Sequence, residues 1–194
     1  MDNVLKEAIL NGLYDKDKNN GNEFLSPQLV SNDQENKIWF TLRQELLSAT
    51  SFTWAVAFIS ENMLVPFKLV MSELAKKGIS GTLITGTYLG FNSPKVFKEL
   101  MKIPNLKVRL SEEAGFHAKG YIFNHEDYQT ILIGSANFTR SALLKNCEWG
   151  LKVTSHENGQ IVQEVNNQIQ IALTTSIPPV SYTHLRAHET LSDL

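Results

Sequence analysis

His117 and Lys119 stand one residue apart in FHAKGYIF, a run that alternates as a strand does, so a period of two points both side chains to one face. An imidazole able to act as base or nucleophile is thereby set beside a fixed cation. Beyond a second apolar run, ILI, come Gly134, Ser135 and Asn137. They supply small hydrogen-bonding groups at a strand end, where backbone N–H groups are also free. Glu148 adds a carboxylate. Imidazole, ammonium, hydroxyl, amide and carboxylate are the groups needed to attack, neutralise and protonate a phosphate ester. The stretch from Phe116 to Trp149 is therefore the candidate active site.

The rest of the chain has to position these groups. Its 194 residues, 42% hydrophobic and 20% charged, match one globular domain with a sizeable core. We place that domain at residues 1–177, with an N-terminal helix and loop over 1–30. Val4, Leu5, Ala8, Ile9 and Leu13 recur at helical spacing, and turn formers follow. Ser31 or Asn32, with Glu35, can cap a second helix whose buried face is Ile38, Trp39, Leu42, Leu46 and Leu47. SFTWAVAFIS, 51–60, reads as a central strand, with Phe52, Trp54 and Phe58 as core residues rather than a platform for stacking bases.

Helices are predicted at 64–77, closed by Lys76, Lys77 and Gly78, at 94–101 from Pro94, and at 158–173. Strands are predicted at GISGTLITG, 105–110, 117–123, 129–133 and 148–154, with NHEDY as a hairpin connection. The alternation of strand and helix implies right-handed crossovers. The expected fold is α/β, with a mixed, largely parallel β-sheet flanked by helices on both faces.

After IPPV, residues 178–194 carry no apolar face that continues the domain and read as a non-native tail, resembling translated adaptor or vector sequence. His184 and His188, spaced as a helical metal pair with Glu189 beside them, are set aside with it.

A net charge of −2 provides no global field that would recruit nucleic acid or an anionic membrane, so any such binding has to be local. MDNVLKEAIL lacks the basic start and long apolar core of a signal peptide, and no run approaches the roughly 18 apolar residues of a membrane span. A cytoplasmic protein with no membrane partner is expected. A single cysteine, Cys147, precludes an intrachain disulfide or a cysteine-based zinc cluster, and reads as a small buried hydrophobe rather than an activated thiolate.

HxK at His117 and Lys119, GSxN at Gly134 to Asn137, and the downstream Glu148 together resemble the signature of the phospholipase D superfamily. The resemblance covers most of residues 30–174 and is closest to small phospholipase D-like nucleases that stand alone or precede superfamily II helicase modules. Two departures stand out. Asn124 occupies the position where the family carries Asp, and GSxN comes about three residues late, as a hairpin lengthened around His125, Glu126 and Asp127 would explain.

The resemblance implies a metal-independent phosphodiesterase with no cofactor, in which one histidine attacks phosphorus and a second protonates the leaving oxygen. Lys119 and Asn137 would bind non-bridging oxygens, Ser135 would assist, and Glu148 would orient the ring of His117. This chain holds one copy of the motif, so a homodimer would complete the site. Nucleic acid, DNA above RNA, is the implied substrate, and a helicase module is a further implied partner. The alternatives are a degenerate nucleic-acid-binding module and, third, a phospholipase.

Other residues are open to two readings. Thr87 and Tyr88 follow a predicted strand and can line a crevice at its carboxyl end, though Tyr88 suits core packing equally. Arg140 can meet a substrate phosphate or merely begin a helix on the surface. His125, in a polar turn without a partner pattern, reads as an exposed loop residue.

Overall fold

A computed structural model describes residues 27–86, 92–156 and 158–179. The expected N-terminal helix, Thr87, Tyr88 and the histidines of the tail lie outside them. The strands are β1 (Gln28–Ser31), β2 (Ser51–Val56), β3 (Ser80–Gly86), β4 (Leu106–Ser111), β5 (Lys119–Asn124), β6 (Gln129–Gly134), β7 (Trp149–Ser155) and β8 (Ser176–Ile177). The helices are α1 (Ile38–Ser48), α2 (Glu61–Lys76), α3 (Pro94–Leu100), α4 (Arg140–Leu144) and α5 (Gln160–Thr174).

All the strands join one sheet, in the order β1-β7-β6-β5-β2-β3-β4-β8. Among the described strands, parallel pairing is confined to β2 with β3 and β3 with β4. The other neighbours run antiparallel. The sheet is thus mixed, but with fewer parallel pairs than the expected largely parallel arrangement. A parallel neighbour needs a crossover long enough for a helix, and only α2 and α3 lie between such neighbours.

Helices cover both faces unequally. On one face α1 to α4 bury the larger core around Trp54, which is fully buried and packs edge-on against Tyr121 and Phe138 at centroid distances of 5.1 and 5.2 Å. Such aromatic pairs add about 0.5–1.5 kcal/mol each beyond burial. On the other face α5, the one helix there among the described residues, lays Val162, Ile169 and Ala172 over Ala55, Ile84, Ile122 and Ile131.

Local chemistry explains several boundaries. α1 starts at Ile38, later than the cap at Ser31 or Asn32 suggests, because Asp33 folds its carboxylate onto the N–H groups of Glu35 and Asn36. Asn32 still serves the helix from a distance, accepting a bond from the Ile38 N–H at 3.0 Å. The strand predicted over 51–60 stops at Val56, and residues 57–60 turn toward the candidate site.

The hairpin forms as expected, Asn124 pairing with Gln129. Its His125 is not a free loop residue: only 4% of the side chain is exposed, with Nε2 3.3 Å from Glu45 and the ring stacked on Tyr128. The lengthened turn thus folds back against α1. Cys147, expected to be buried, is exposed. Its loop follows a helix of only five residues, too short to carry it inward.

Candidate active site

The site is built where β5 begins and β6 ends. Before β5 the chain turns at Gly115, whose φ of 82° lies in the left-handed region that glycine tolerates. The next residue, Phe116, is buried against the α5 face. Alternation then sends His117 and Lys119 toward the opposite side of the sheet. The Ala57 N–H donates to the Ala118 carbonyl at 2.9 Å and fixes this stretch against the end of β2.

The Lys119 ammonium lies 2.6 Å from His117 Nδ1, 3.2 Å from Nε2 and 2.8 Å from the His117 carbonyl oxygen. An ammonium can only donate, and the ring nitrogen that accepts from it depends on the tautomer of His117. His117 is exposed and Lys119 half-buried. Partial burial pulls the Lys119 ammonium below the ordinary lysine range, and the Glu148 carboxylate opposes that shift.

At the end of β6, Gly134 lies tight against β7: a β-carbon there would stand 2.2 Å from the Trp149 carbonyl oxygen. That close approach lets Ser135 and Trp149 bond twice. The Ser135 N–H donates to the Trp149 carbonyl at 3.0 Å, and the Trp149 N–H donates to Ser135 Oγ at 3.2 Å. Ser135 Oγ in turn donates to the Glu148 carboxylate. Glu148, expected to orient His117, therefore meets Ser135, and the group on the His117 ring is Lys119.

The loop that follows is held from below and from the side. Buried Tyr121 donates its hydroxyl to the Ala136 carbonyl at 3.0 Å, and burial pushes the phenol well above its ordinary range. Asn137 Oδ1 accepts the Phe58 N–H at 3.3 Å. Phe58 also sets its ring edge-on to His117, centroids 5.4 Å apart. It is a half-buried wall of the site rather than the core residue expected. The side chains of His117, Lys119, Ser135, Asn137 and Glu148 thus gather at one end of the sheet.

Asn92 was not singled out from sequence, yet it organises this end. It is 3% exposed and accepts from the Ile59 N–H at 2.8 Å. Its amide donates to the carbonyls of Ala57 and Gly86, each at 2.8 Å, and to Thr85 Oγ1 at 3.0 Å. One side chain thereby ties the ends of β2 and β3 to the segment that carries Phe58. FNSP reads locally as a turn, and no periodicity marks its asparagine as buried.

Arg140 is brought less close. Its backbone N–H donates to Ser60 Oγ at 3.0 Å, and its exposed side chain lines a small pocket with Asn62 and Lys145, beyond Asn137. Asn124 sits at the far end of β5 from His117. Its amide donates to Ser51 Oγ at 2.8 Å and its oxygen accepts from Gln129 at 2.6 Å. The replaced acid therefore bears on the strand and hairpin, away from the groups around His117.

Residues 42–172 match a family described as cardiolipin synthase, PLD-like domain. No curated protein matches the chain in sequence. Among solved structures, NucT from Helicobacter pylori superposes with a TM-score of 0.62 at 20% identity, over 78% of this chain and 98% of that one. Nuc from Salmonella typhimurium, a phospholipase D family member, gives 0.58 at 17% identity, over 78% and 97%. Phosphatidylserine synthase from Haemophilus influenzae gives 0.58 at 15% identity, over 79% of this chain and 39% of its own. At these identities the likeness is one of fold.

Proposed function

The chain belongs to the phospholipase D-like family, and from that premise we propose that it is a metal-independent phosphodiesterase acting on nucleic acid, DNA above RNA. The observation that carries this reading is the contact of the Lys119 ammonium with the His117 ring, 2.6 Å at Nδ1, at a strand end that also gathers Ser135, Asn137 and Glu148. An imidazole to attack and a cation beside it to neutralise the phosphate oxygens are what displacement at a phosphodiester requires.

In the proposed reaction a ring nitrogen of His117 attacks phosphorus, forming a P–N bond as the P–O bond to the leaving group breaks. His117 of a second copy delivers a proton to that oxygen. Water then attacks the phosphohistidine, the P–N bond breaks, and the second imidazole takes the proton from water. Lys119 and Asn137 hold the non-bridging oxygens throughout. Ser135, fixed by Trp149 and Glu148, backs the same side.

The second reading is a phosphate-binding module without turnover, serving a helicase or restriction partner. The specific observation in its favour is Asn124 in place of the family's Asp. Turnover is preferred because Asn124 hydrogen-bonds to Ser51 and Gln129 at the opposite end of β5, leaving the five gathered groups untouched. Incubating the protein with DNA in EDTA tests the proposal. Cleavage by the wild type that is lost in His117→Ala supports it, whereas DNA binding with no cleavage favours the second reading.

A further inference from the structure

A net charge of −2 draws no polynucleotide to the chain as a whole, so local cations have to hold one. Lys119 is such a cation, and the proposed reaction assigns it to the phosphate under attack. Two more, Arg140 and Lys145, line a separate cleft of about 180 Å³ with Ser60, Asn62 and Ser141. Both side chains are exposed, and among the described residues neither is engaged in an ion pair or a side-chain hydrogen bond.

Two backbone segments connect this cleft to the active site. The Phe58 N–H donates to Asn137 Oδ1 at 3.3 Å, and Ile59 bridges Phe138 in parallel. The Ser60 N–H then donates to the Phe138 carbonyl at 3.1 Å, and the Arg140 N–H donates to Ser60 Oγ at 3.0 Å. The segments therefore run side by side from the wall of the His117 site to the cleft. Three residues of chain lead from Asn137 to Arg140, a span of at most about 10 Å, which is the scale of the sugar link between neighbouring phosphates.

Hydrogen-bond directions select the charge of the ligand. The Ser60 hydroxyl accepts from Arg140 and donates to Asn62 Oδ1 at 2.6 Å. What remains at the cleft is the donating half of the Asn62 amide, the Arg140 guanidinium and the Lys145 ammonium. None of the described residues that line it is acidic. Glu61, beside Asn62 in sequence, is held by Lys95 at 2.7 Å and by Ser93, and Glu148 is held by Ser135. Free donors carrying two positive charges suit an anion with several acceptor oxygens, which a phosphate is.

We propose that this cleft is a second phosphate subsite, holding the phosphate next to the one attacked and so making a polynucleotide the preferred substrate over an isolated diester. The proposal rests on the reading of the His117 site as a phosphodiesterase and names the substrate that site selects. An isolated diester cannot occupy both positions, whereas a polymer of diesters fills them together. The second contact strengthens binding without touching the reacting groups.

The test compares the full chain with the double variant Arg140→Gln and Lys145→Gln, each single variant, and Lys107→Gln. Lys107 is exposed at the start of β4, the far end of the sheet from His117, and serves as the control. Glutamine keeps the reach of these exposed side chains, and circular dichroism checks the fold. Binding of a labelled single-stranded oligodeoxynucleotide is read by fluorescence anisotropy in EDTA, every form also carrying His117→Ala so that the probe stays whole. The double variant should bind about tenfold more weakly, and its plot of log affinity against log salt should flatten by about 1. Each single variant should show part of that loss, and Lys107→Gln none. With His117 present, the ratio of KM for the oligonucleotide to KM for bis(p-nitrophenyl) phosphate, an isolated diester, should rise about tenfold in the double variant. Absence of DNA binding in the parent overturns the proposal, as does an affinity and salt slope that the double variant shares with the parent or with Lys107→Gln. So does a loss confined to cardiolipin vesicles, whose lipid also carries paired phosphates. Weakened DNA binding with no cleavage by the wild type upholds the subsite and sinks the catalytic reading. Cleavage of both substrates with the KM ratio unmoved does the reverse.

Discussion

The Trp149 carbonyl oxygen occupies the space that a side chain at Gly134 would need, 2.2 Å from an ideal β-carbon. The obstacle is backbone, which cannot swing aside as a flexible side chain can. The glycine of the GSxN element is therefore required by the approach of β6 to β7, and Ser135 inherits its position from that approach.

Gly134→Ala should force the strands apart. We expect a loss of about 3 kcal/mol, the upper end for overpacking a well-packed site, and roughly 6–12 °C in Tm for a chain of this size. Differential scanning calorimetry measures the stability. Cleavage should fall more than the fraction folded explains, because Ser135 moves with the strand.

Lys119 gives a pH dependence with opposite signs for folding and function. Its pKa is depressed by burial, so between the folded and unfolded values the unfolded chain binds more protons and stability rises with pH. Phosphate binding needs the ammonium, so it weakens over the same window. We expect KM for a phosphodiester to climb at a pH below the ordinary lysine range. Lys119→Arg, which stays charged, should abolish that climb even if it lowers kcat. A KM flat through the alkaline range in the wild type would show that Lys119 does not hold the phosphate.

Asn92→Ala removes its bonds to Ile59, Ala57 and Gly86, leaving Thr85 Oγ1 to hold the Ala57 carbonyl and the buried Ile59 N–H without the side chain that accepts it. A destabilisation of about 3 kcal/mol is expected, measured by urea unfolding. Under conditions where the variant remains folded, Phe58 should lose its fixed place beside His117, and kcat should drop with little change in KM.

How much of this could be read from the residues follows from the range of the interactions. The aromatic run over 51–56 and the hairpin through 124–129 are local patterns, and both form. His117 and Lys119 share a face because alternation is also local. The antiparallel pairings of β5 with β2 and of β7 with β1 depend on contacts far apart in sequence, which no period reveals. The burial of His125 depends on Glu45 and Ser48 of α1, and the burial of Asn92 on Ala57 and Ile59, so neither turn betrays its role. Glu148 was placed at the site by its residue type, but which group it meets was decided by the pairing of Ser135 with Trp149.

The central claim is that His117 is the nucleophile. Rapid quenching of the wild type with a phosphate-labelled DNA diester in EDTA, followed by peptide mass analysis, tests it most directly. The account predicts an acid-labile phosphoryl adduct on His117 that forms and decays within the time of one turnover and is absent from His117→Ala. Turnover with no adduct, or with the label on another residue, would contradict it.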